Sequence, residues 1–466
     1  MLNRKSFYAL LLIVFIGVSC QDDLDDVISP SSNIEIQNFV WEAMNVFYLY
    51  RSDVPDLSQR SSTDSDFDDF ISSFDTPESL FDNLIREDDR FSVIVSDFRE
   101  LEAAIQGQTL SNGMRFGLVL IENTTQVFGY VRYVVPDSSA DLQGVERGMI
   151  FTEIDGTPLS DTNFNELLSP EQYSIGLAEL QDGQLITTGQ TILLNKAVLT
   201  ENPIHIANTL DINGQSIGYL MYNGFRSNFE SELNQVFAQF VSDGVTDLVL
   251  DLRYNGGGSI ETAKDLASMI TGQFEGEIFA REKFNDNFEE EVLLFDDQTA
   301  EGENINNLNL NRVFVLTTGS TASASELVIN ALDPYITVTQ IGTTTTGKFQ
   351  GSTTLYDSPD FRRQNANPNH FYALQPLILE IENVEGFTGF TDGFDPEIEL
   401  AEDFFNLGVL GNPSEPLLSL ALQQIGAGVQ GKPLQKQTSF QTLKIGEDGM
   451  YLPNYQRMYF KTDTKF

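Results

Sequence analysis

A single cysteine, Cys20, stands in a chain of 466 residues, so no disulfide can close within it. Histidine is nearly as scarce. His205 and His370 are the only two, each in a loop-like Asn-Pro context with no acidic partner close in sequence, and both read as surface residues. A serine activated by histidine therefore has little to draw on. Basic residues are few as well: 26 Lys+Arg face 69 Asp+Glu, for a formal net charge of -43. Such a field repels nucleic acid and anionic lipid headgroups, and it suits solubility in a salty medium. The densest acidic stretch, Asp64-Ser65-Asp66-Phe67-Asp68-Asp69, lacks the glycine that a calcium-binding EF-hand loop needs at its sixth position. No metal site and no cofactor are assigned. Long apolar runs are missing too, since Phe7–Val18 falls short of the roughly 20 residues that span a bilayer.

What is present begins with that short run. Arg4 and Lys5 precede it and Ser19-Cys20 follow it, the order of a secretory leader. The place of Cys20 resembles the lipobox of bacterial lipoproteins, with Gly17 where a larger aliphatic residue is usual. The acidic Gln21-Asp22-Asp23-Leu24-Asp25-Asp26 resembles the tag of Bacteroidetes surface lipoproteins. That resemblance implies a leader over 1–20, lipidation at Cys20, and export to the outer membrane or cell surface, with the membrane met only through the lipid.

Hydrophobic residues make up 41% and charged residues 20%, an ordinary globular balance over a length that suggests two to four domains. Residues 21–33 read as an acidic tether. Apolar residues at three- and four-residue steps predict a helical N-terminal domain over 34–105, with Trp41 in its core. From 106 to 202 short β runs with glycine punctuation take over, among them Phe116–Ile121 and Phe128–Val135. The order of a short helix, Gly144-x-x-x-Gly148, a strand and then Asp155-Gly156 resembles a PDZ domain. That resemblance implies a groove in which Gly117 and Leu118 present backbone N–H groups to a peptide carboxylate. From 203 to 425 strands alternate with helices: strand Ser216–Tyr222, helix Glu230–Val241, the apolar strand Thr246–Leu252, helix Ile260–Ile270 and strand Val313–Thr317. Residues 426–466 form an extension with no assigned structure.

The chemistry gathers in that third region. Thr317-Thr318-Gly319-Ser320-Thr321-Ala322-Ser323-Ala324-Ser325-Glu326 follows a buried strand and opens a helix that Asp333-Pro334 stops. Small residues let the backbone turn sharply and expose a serine hydroxyl at the positive end of a helix. A serine needs a base, and lysine can serve where burial leaves its amine neutral. Lys348, isolated among hydroxyls and glycines in Thr343-Thr344-Thr345-Thr346-Gly347-Lys348, is the candidate.

This combination resembles the carboxyl-terminal processing peptidases, or tail-specific proteases. In that family the first serine of Ser-Ala-Ser-Glu is the nucleophile and a Gly-Lys 25 residues later supplies the base, which Ser323 and Lys348 match. The family's Asp-Leu-Arg-x-Asn-x-Gly-Gly segment appears as Asp251–Gly258. It implies an oxyanion hole from the N–H of Ala324 and of a glycine, Gly257 in preference to Gly258. Many members orient the lysine with a glutamine four residues on; here that position is Ser352, with Gln350 nearby. Asp251 and Arg253 read as structural. The expected fold is a multidomain α+β or α/β chain: a helical domain, a PDZ-like domain and a ClpP- or crotonase-like α/β core. The expected function is serine-type hydrolysis of unfolded or C-terminally exposed polypeptides, the alternative being a non-catalytic surface protein that binds peptides in the same groove and cleft.

Overall fold

The computed structural model describes residues 31–426 and 440–460. The leader, Cys20 and all but the end of the acidic tether lie outside the described residues. Among those described, no helix is long and apolar enough to cross a membrane.

Helix α1 (Asn33–Phe47) starts at a capping box, in which Ser32 Oγ accepts from Glu35 N at 3.3 Å and Glu35 Oε2 accepts from Ser32 N at 2.8 Å. Its apolar face buries Phe39, Val40, Trp41, Met44 and Phe47 against short helices at Pro55–Ser58, Phe67–Ser72 and Pro77–Leu84. Trp41 is core as expected, donating Nε1–H to Asp56 O at 2.9 Å and meeting the Phe67 ring edge-on. The helical pattern misses one strand here: Val93–Val95 pairs antiparallel with Ala373–Gln375.

The middle of the chain is an antiparallel sheet. Its strands are β1 (Met114–Ile121), β2 (Val127–Val134), β3 (Ile150–Ile154), β4 (Gln172–Gln181) and β5 (Gln184–Asn195), paired in that order, with helix α2 (Phe164–Leu168) packed on the same apolar cluster.

The third region holds a sheet of strands β6 (Ile204–Ile212), β7 (Gln215–Tyr222) and β8 (Asp247–Asp251), with helix α3 (Glu230–Ser242) crossing from β7 to β8. Next come β9 (Gly258–Ser259), helix α4 (Ile260–Thr271), β10 (Ile278–Phe284), β11 (Glu291–Leu294) and β12 (Arg312–Thr317). Helix α5 (Ala324–Leu332), β13 (Thr337–Gly342), β14 (Gln350–Ser352), β15 (Leu377–Glu382), β16 (Ile398–Glu399) and helix α6 (Pro416–Ile425) follow. One sheet runs β6-β7-β8-β12-β13-β16, parallel from β7 onward. Every residue of β8 is buried, as expected of a strand covered on both faces. The C-terminal ends of β8, β12 and β13 therefore point the Asn-Gly turn, the Ser323 turn and the Lys348 loop to one edge, where open parallel sheets carry their sites.

The segment 440–460 does not form a separate extension. Its strand β17 (Thr442–Glu447) pairs antiparallel with β1 on the edge away from β2, and its strand β18 (Met458–Tyr459) lies between β9 and β14 in a second sheet.

Candidate active site

Ser323 occupies the turn between β12 and α5 at φ 66° and ψ −116°. A non-glycine residue held there costs about 1–3 kcal/mol and persists only when its surroundings enforce it. The enforcement is visible. Thr321 Oγ1 donates to Leu252 O at 2.8 Å, Ala322 N to Asn255 O at 3.1 Å, and Ser325 Oγ to the same carbonyl at 3.0 Å. Asn255 is in turn braced by Nδ2–H to Tyr222 O at 2.8 Å. Ser325 thus fastens the turn.

Glu326 joins the two halves of the site. Its Oε2 accepts from Ser323 N at 2.7 Å and from Lys348 N at 2.9 Å. Its Oε1 accepts from Gly347 N at 2.7 Å and Thr345 Oγ1 at 2.6 Å. One carboxylate oxygen therefore fixes the backbones of the serine and the lysine together. Burial raises the Glu326 pKa, and the four hydrogen bonds pull it back.

Ser323 and Lys348 are both fully buried. Burial holds the Lys348 amine well below the ordinary lysine range, and the nearby Arg457 guanidinium lowers it further. Nζ lies over the Phe91 ring, 4.7 Å from its centroid. Neither Ser323 Oγ nor Lys348 Nζ has a hydrogen-bond partner, so the two groups are gathered into one site without being bonded to each other. Since the folded pKa lies below the unfolded one, the unfolded chain binds the extra proton and the lysine costs stability at neutral pH. Lys348→Met is thus expected to raise Tm at pH 7 by roughly 2–4 °C, equivalent to about 1 kcal/mol in a domain of this size. The gain should shrink as pH climbs toward about 10.4, the ordinary lysine value. Calorimetry at several pH values checks this.

Other expected positions fare differently. Gly257 lies against the serine: a Cβ there would sit 2.7 Å from Ser323 Cβ and 3.0 Å from Ser323 Oγ, at φ 107°. Its N–H, however, donates to Asn255 Oδ1 at 2.9 Å, so in this arrangement it is not turned toward an oxyanion. Ala324 opens α5, where a helix provides no acceptor of its own for the first N–H groups. Gly257→Ala is expected to lose at least about 100-fold in any Ser323-dependent turnover while circular dichroism stays native, because the methyl clashes with the nucleophile.

Neither candidate for orienting the lysine does so here. Ser352 Oγ donates to Met458 O at 3.1 Å, and Gln350 Nε2 donates to Tyr50 OH at 3.0 Å. Gly117 and Leu118 are corrected outright as a loop of free donors. They sit in the middle of β1, Gly117 between Tyr130 and Glu447 and Leu118 between Gly129 and Gly446. In the loop before that strand, Ser111 Oγ accepts from Gly113 N and Asn112 Oδ1 from Met114 N. The histidines are not free surface residues either. The His370 side chain is 6% exposed and bonded to Asp357 Oδ2 at 2.9 Å, while His205 is half-buried, its ring centroid 4.6 Å from that of Tyr133 and tilted 51° to it.

Asp251 and Arg253 belong to a buried ionic cluster. Arg253 bonds Asp251 at 2.8 Å and Glu415 at 2.7 Å, and Glu402 joins it to Arg147 in the turn before β3 of the antiparallel sheet. The cluster sets the direction of the chain into the glycine turn. Glu326, Asn255 and Phe91 were missed as site residues. The Ser-x-x-Glu spacing of a capping box was the available signal for Glu326.

The parallel core, the serine turn and the paired lysine loop define the class as a serine-peptidase-like α/β protein. Residues 216–361 match peptidase family S41, and residues 35–93 match the S41 peptidase N-terminal domain. The resemblance to the carboxyl-terminal processing peptidases therefore extends over these two matched segments. The chain is 27% identical over 215 residues to a chloroplastic C-terminal processing peptidase of Tetradesmus obliquus, covering 42% of this chain and 43% of that one. It is 23% identical over 276 residues to a carboxyl-terminal-processing protease of Picosynechococcus, covering 58% and 62%. These matches span less than two thirds of either relative. A solved structure from Bacteroides fragilis, assigned to the S41 proteases, superposes with a TM-score of 0.65 at 27% identity, covering 83% of this chain and 97% of that one.

Proposed function

We propose that this protein is a serine-type endopeptidase that cleaves unfolded or C-terminally exposed polypeptides through Ser323 and Lys348. The observation that carries the proposal is the Glu326 carboxylate oxygen shared by the backbones of both residues, with the lysine amine fully buried over the Phe91 ring. In the reaction the neutral Nζ of Lys348 takes the Ser323 hydroxyl proton, and Oγ attacks the scissile carbonyl. The oxyanion is held by Ala324 N–H and by Gly257 N–H once the latter leaves Asn255 Oδ1. The proton then passes from Lys348 to the departing amine, and water attacks the acyl-enzyme by the same route in reverse. Because Nζ lies over Phe91 without a hydrogen-bond partner, the lysine must turn toward Ser323 Oγ before the first step.

The remaining assignments belong to the same reading. The sheet over 106–202 is PDZ-like, the core over 203–425 is ClpP- or crotonase-like, and the chain is exported and lipid-anchored at Cys20. A second reading, a peptide-binding protein without catalysis, draws on the missing Ser323–Lys348 hydrogen bond and on the occupied Gly257 N–H. Incubation with an unstructured polypeptide, followed by mass spectrometry of new termini, separates the two. We expect new termini from the native protein and none from Ser323→Ala; equal products from both would end the peptidase reading.

A further inference from the structure

The site is covered by the chain itself. β17 occupies the free edge of β1 in antiparallel register, Leu443 opposite Leu120 and Glu447 opposite Gly117. Ile445 and Met450 pack on the apolar cluster that contains Leu118 and Phe164. This is how an extended peptide ligand adds to an exposed sheet edge. A cavity of about 450 Å³ continues beside it, between Leu118, Phe164, Leu168 and Met450.

The segment then turns into the cleft. Gln456 Nε2 donates to Thr346 Oγ1 at 3.1 Å, on the loop that carries Lys348. β18 runs between Gly258-Ser259, which ends the glycine turn, and Ser352, which follows the lysine. The Arg457 carbonyl oxygen lies 2.8 Å from the point where a Cβ on Gly257 would stand, and Ser323 Oγ lies 3.0 Å from that point. A backbone carbonyl of the segment thus stands at the glycine turn beside the nucleophile. The Arg457 side chain donates to Pro453 O and Phe91 O and closes the lysine's surroundings.

Two latches hold the segment. Glu447 accepts from Arg132 at 2.7 Å, from Ser320 Oγ at 2.6 Å and from Tyr455 OH at 2.6 Å, and pairs with Lys444 at 2.6 Å. Asp448 pairs with Arg115 at 2.5 Å. Arg132 and Arg115 belong to the antiparallel sheet and Ser320 to the nucleophile turn, so the latches connect both parts.

We infer that residues 442–460 are a resident pseudo-substrate: they fill the peptide-pairing edge of β1 and the catalytic cleft, and an extended polypeptide is admitted only when they withdraw. The inference rests on the peptidase reading and deepens it, since the edges that hold the segment are those a polypeptide substrate would use. The test keeps the full chain. Leu120→Cys with Leu443→Cys locks β17 to β1 by a disulfide that dithiothreitol reopens, and Glu447→Gln with Asp448→Asn loosens the latches. Initial rates on an unstructured polypeptide are compared with Ser323→Ala controls and the disulfide is verified by mass. We expect the locked form to be at least 10-fold slower than its reduced form, and the unlatched form at least 10-fold faster than the native chain. A synthetic peptide of residues 440–460 should inhibit the unlatched form. Equal Ser323-dependent turnover in all forms would overturn the pseudo-substrate and leave the peptidase standing. Absence of Ser323-dependent turnover from every form would overturn the peptidase reading itself.

Discussion

Ser323→Ala and Lys348→Ala are each expected to lower turnover of an unstructured polypeptide by at least about 10⁴-fold, with the double variant no slower than either single one. Groups that act as one unit in a nucleophilic step give such non-additive losses, because removing either already abolishes the covalent route. The buried position of both side chains sharpens the expectation. Both side chains are fully buried in this arrangement, so each depends on the other as its partner. Lys348→Arg should fare no better, since a guanidinium remains protonated throughout the accessible range and accepts no proton. Initial rates by fluorescence dequenching of a labelled polypeptide give the numbers. A Lys348→Ala rate within 10-fold of native would remove lysine as the base.

The same geometry sets the direction of the pH profile. Only the neutral amine accepts the serine proton, so kcat/KM should rise as pH passes upward through the depressed pKa of Lys348 and then level. The direction follows mainly from burial. Arg457 contributes in the same sense, so displacing that guanidinium should move the rising limb toward higher pH.

Much of this site could be read from the chain because its elements obey local rules. The apolar stretch ending in Asp251 gives a strand covered on both faces, and the amphipathic stretch Glu230–Ser242 gives the crossover helix that makes its neighbours parallel. Those two facts bring the ends of three strands, and hence Ser323, Lys348 and Gly257, to one edge. What stayed hidden depends on contacts across long sequence distances. Residues 442–460 contain two short strands, β17 with its exposed residues Leu443 and Lys444 adjacent and β18 only two residues long, so neither has an alternation to detect. Their partners lie more than 100 residues away for β18 and more than 300 for β17. Gly117 and Leu118 were placed by analogy with a groove whose edge is free, whereas here β17 occupies it. His370 read as exposed because its partner Asp357 reaches it through a folded loop and not along a helix or strand.

Glu326→Gln is expected to cost at least about 100-fold in kcat and about 3 kcal/mol in stability, although the change alters one atom. All four groups around the carboxylate are donors: Ser323 N and Lys348 N on one oxygen, Gly347 N and Thr345 Oγ1 on the other. An amide offers one acceptor and one donor, so whichever way it lies, one pair of donors meets an NH₂ group. A buried donor left unsatisfied costs about 1–3 kcal/mol, and hydrogen bonds to a charged acceptor are worth about 1.5–3 kcal/mol. The loss falls on geometry as well. With Oε2 replaced, the bond that ties the Ser323 backbone to the Lys348 backbone is lost, and the serine turn, still braced through Asn255 and Leu252, is no longer fastened to the lysine loop. Glu326 touches neither substrate nor the reacting atoms, so it is a positioning residue. Its substitution should lower kcat while leaving KM within about threefold, since the peptide-pairing edges lie elsewhere. Labelling of Ser323 by a fluorophosphonate probe should slow in parallel with kcat in Glu326→Gln. A variant with native labelling and turnover but reduced Tm would reduce Glu326 to a structural cap.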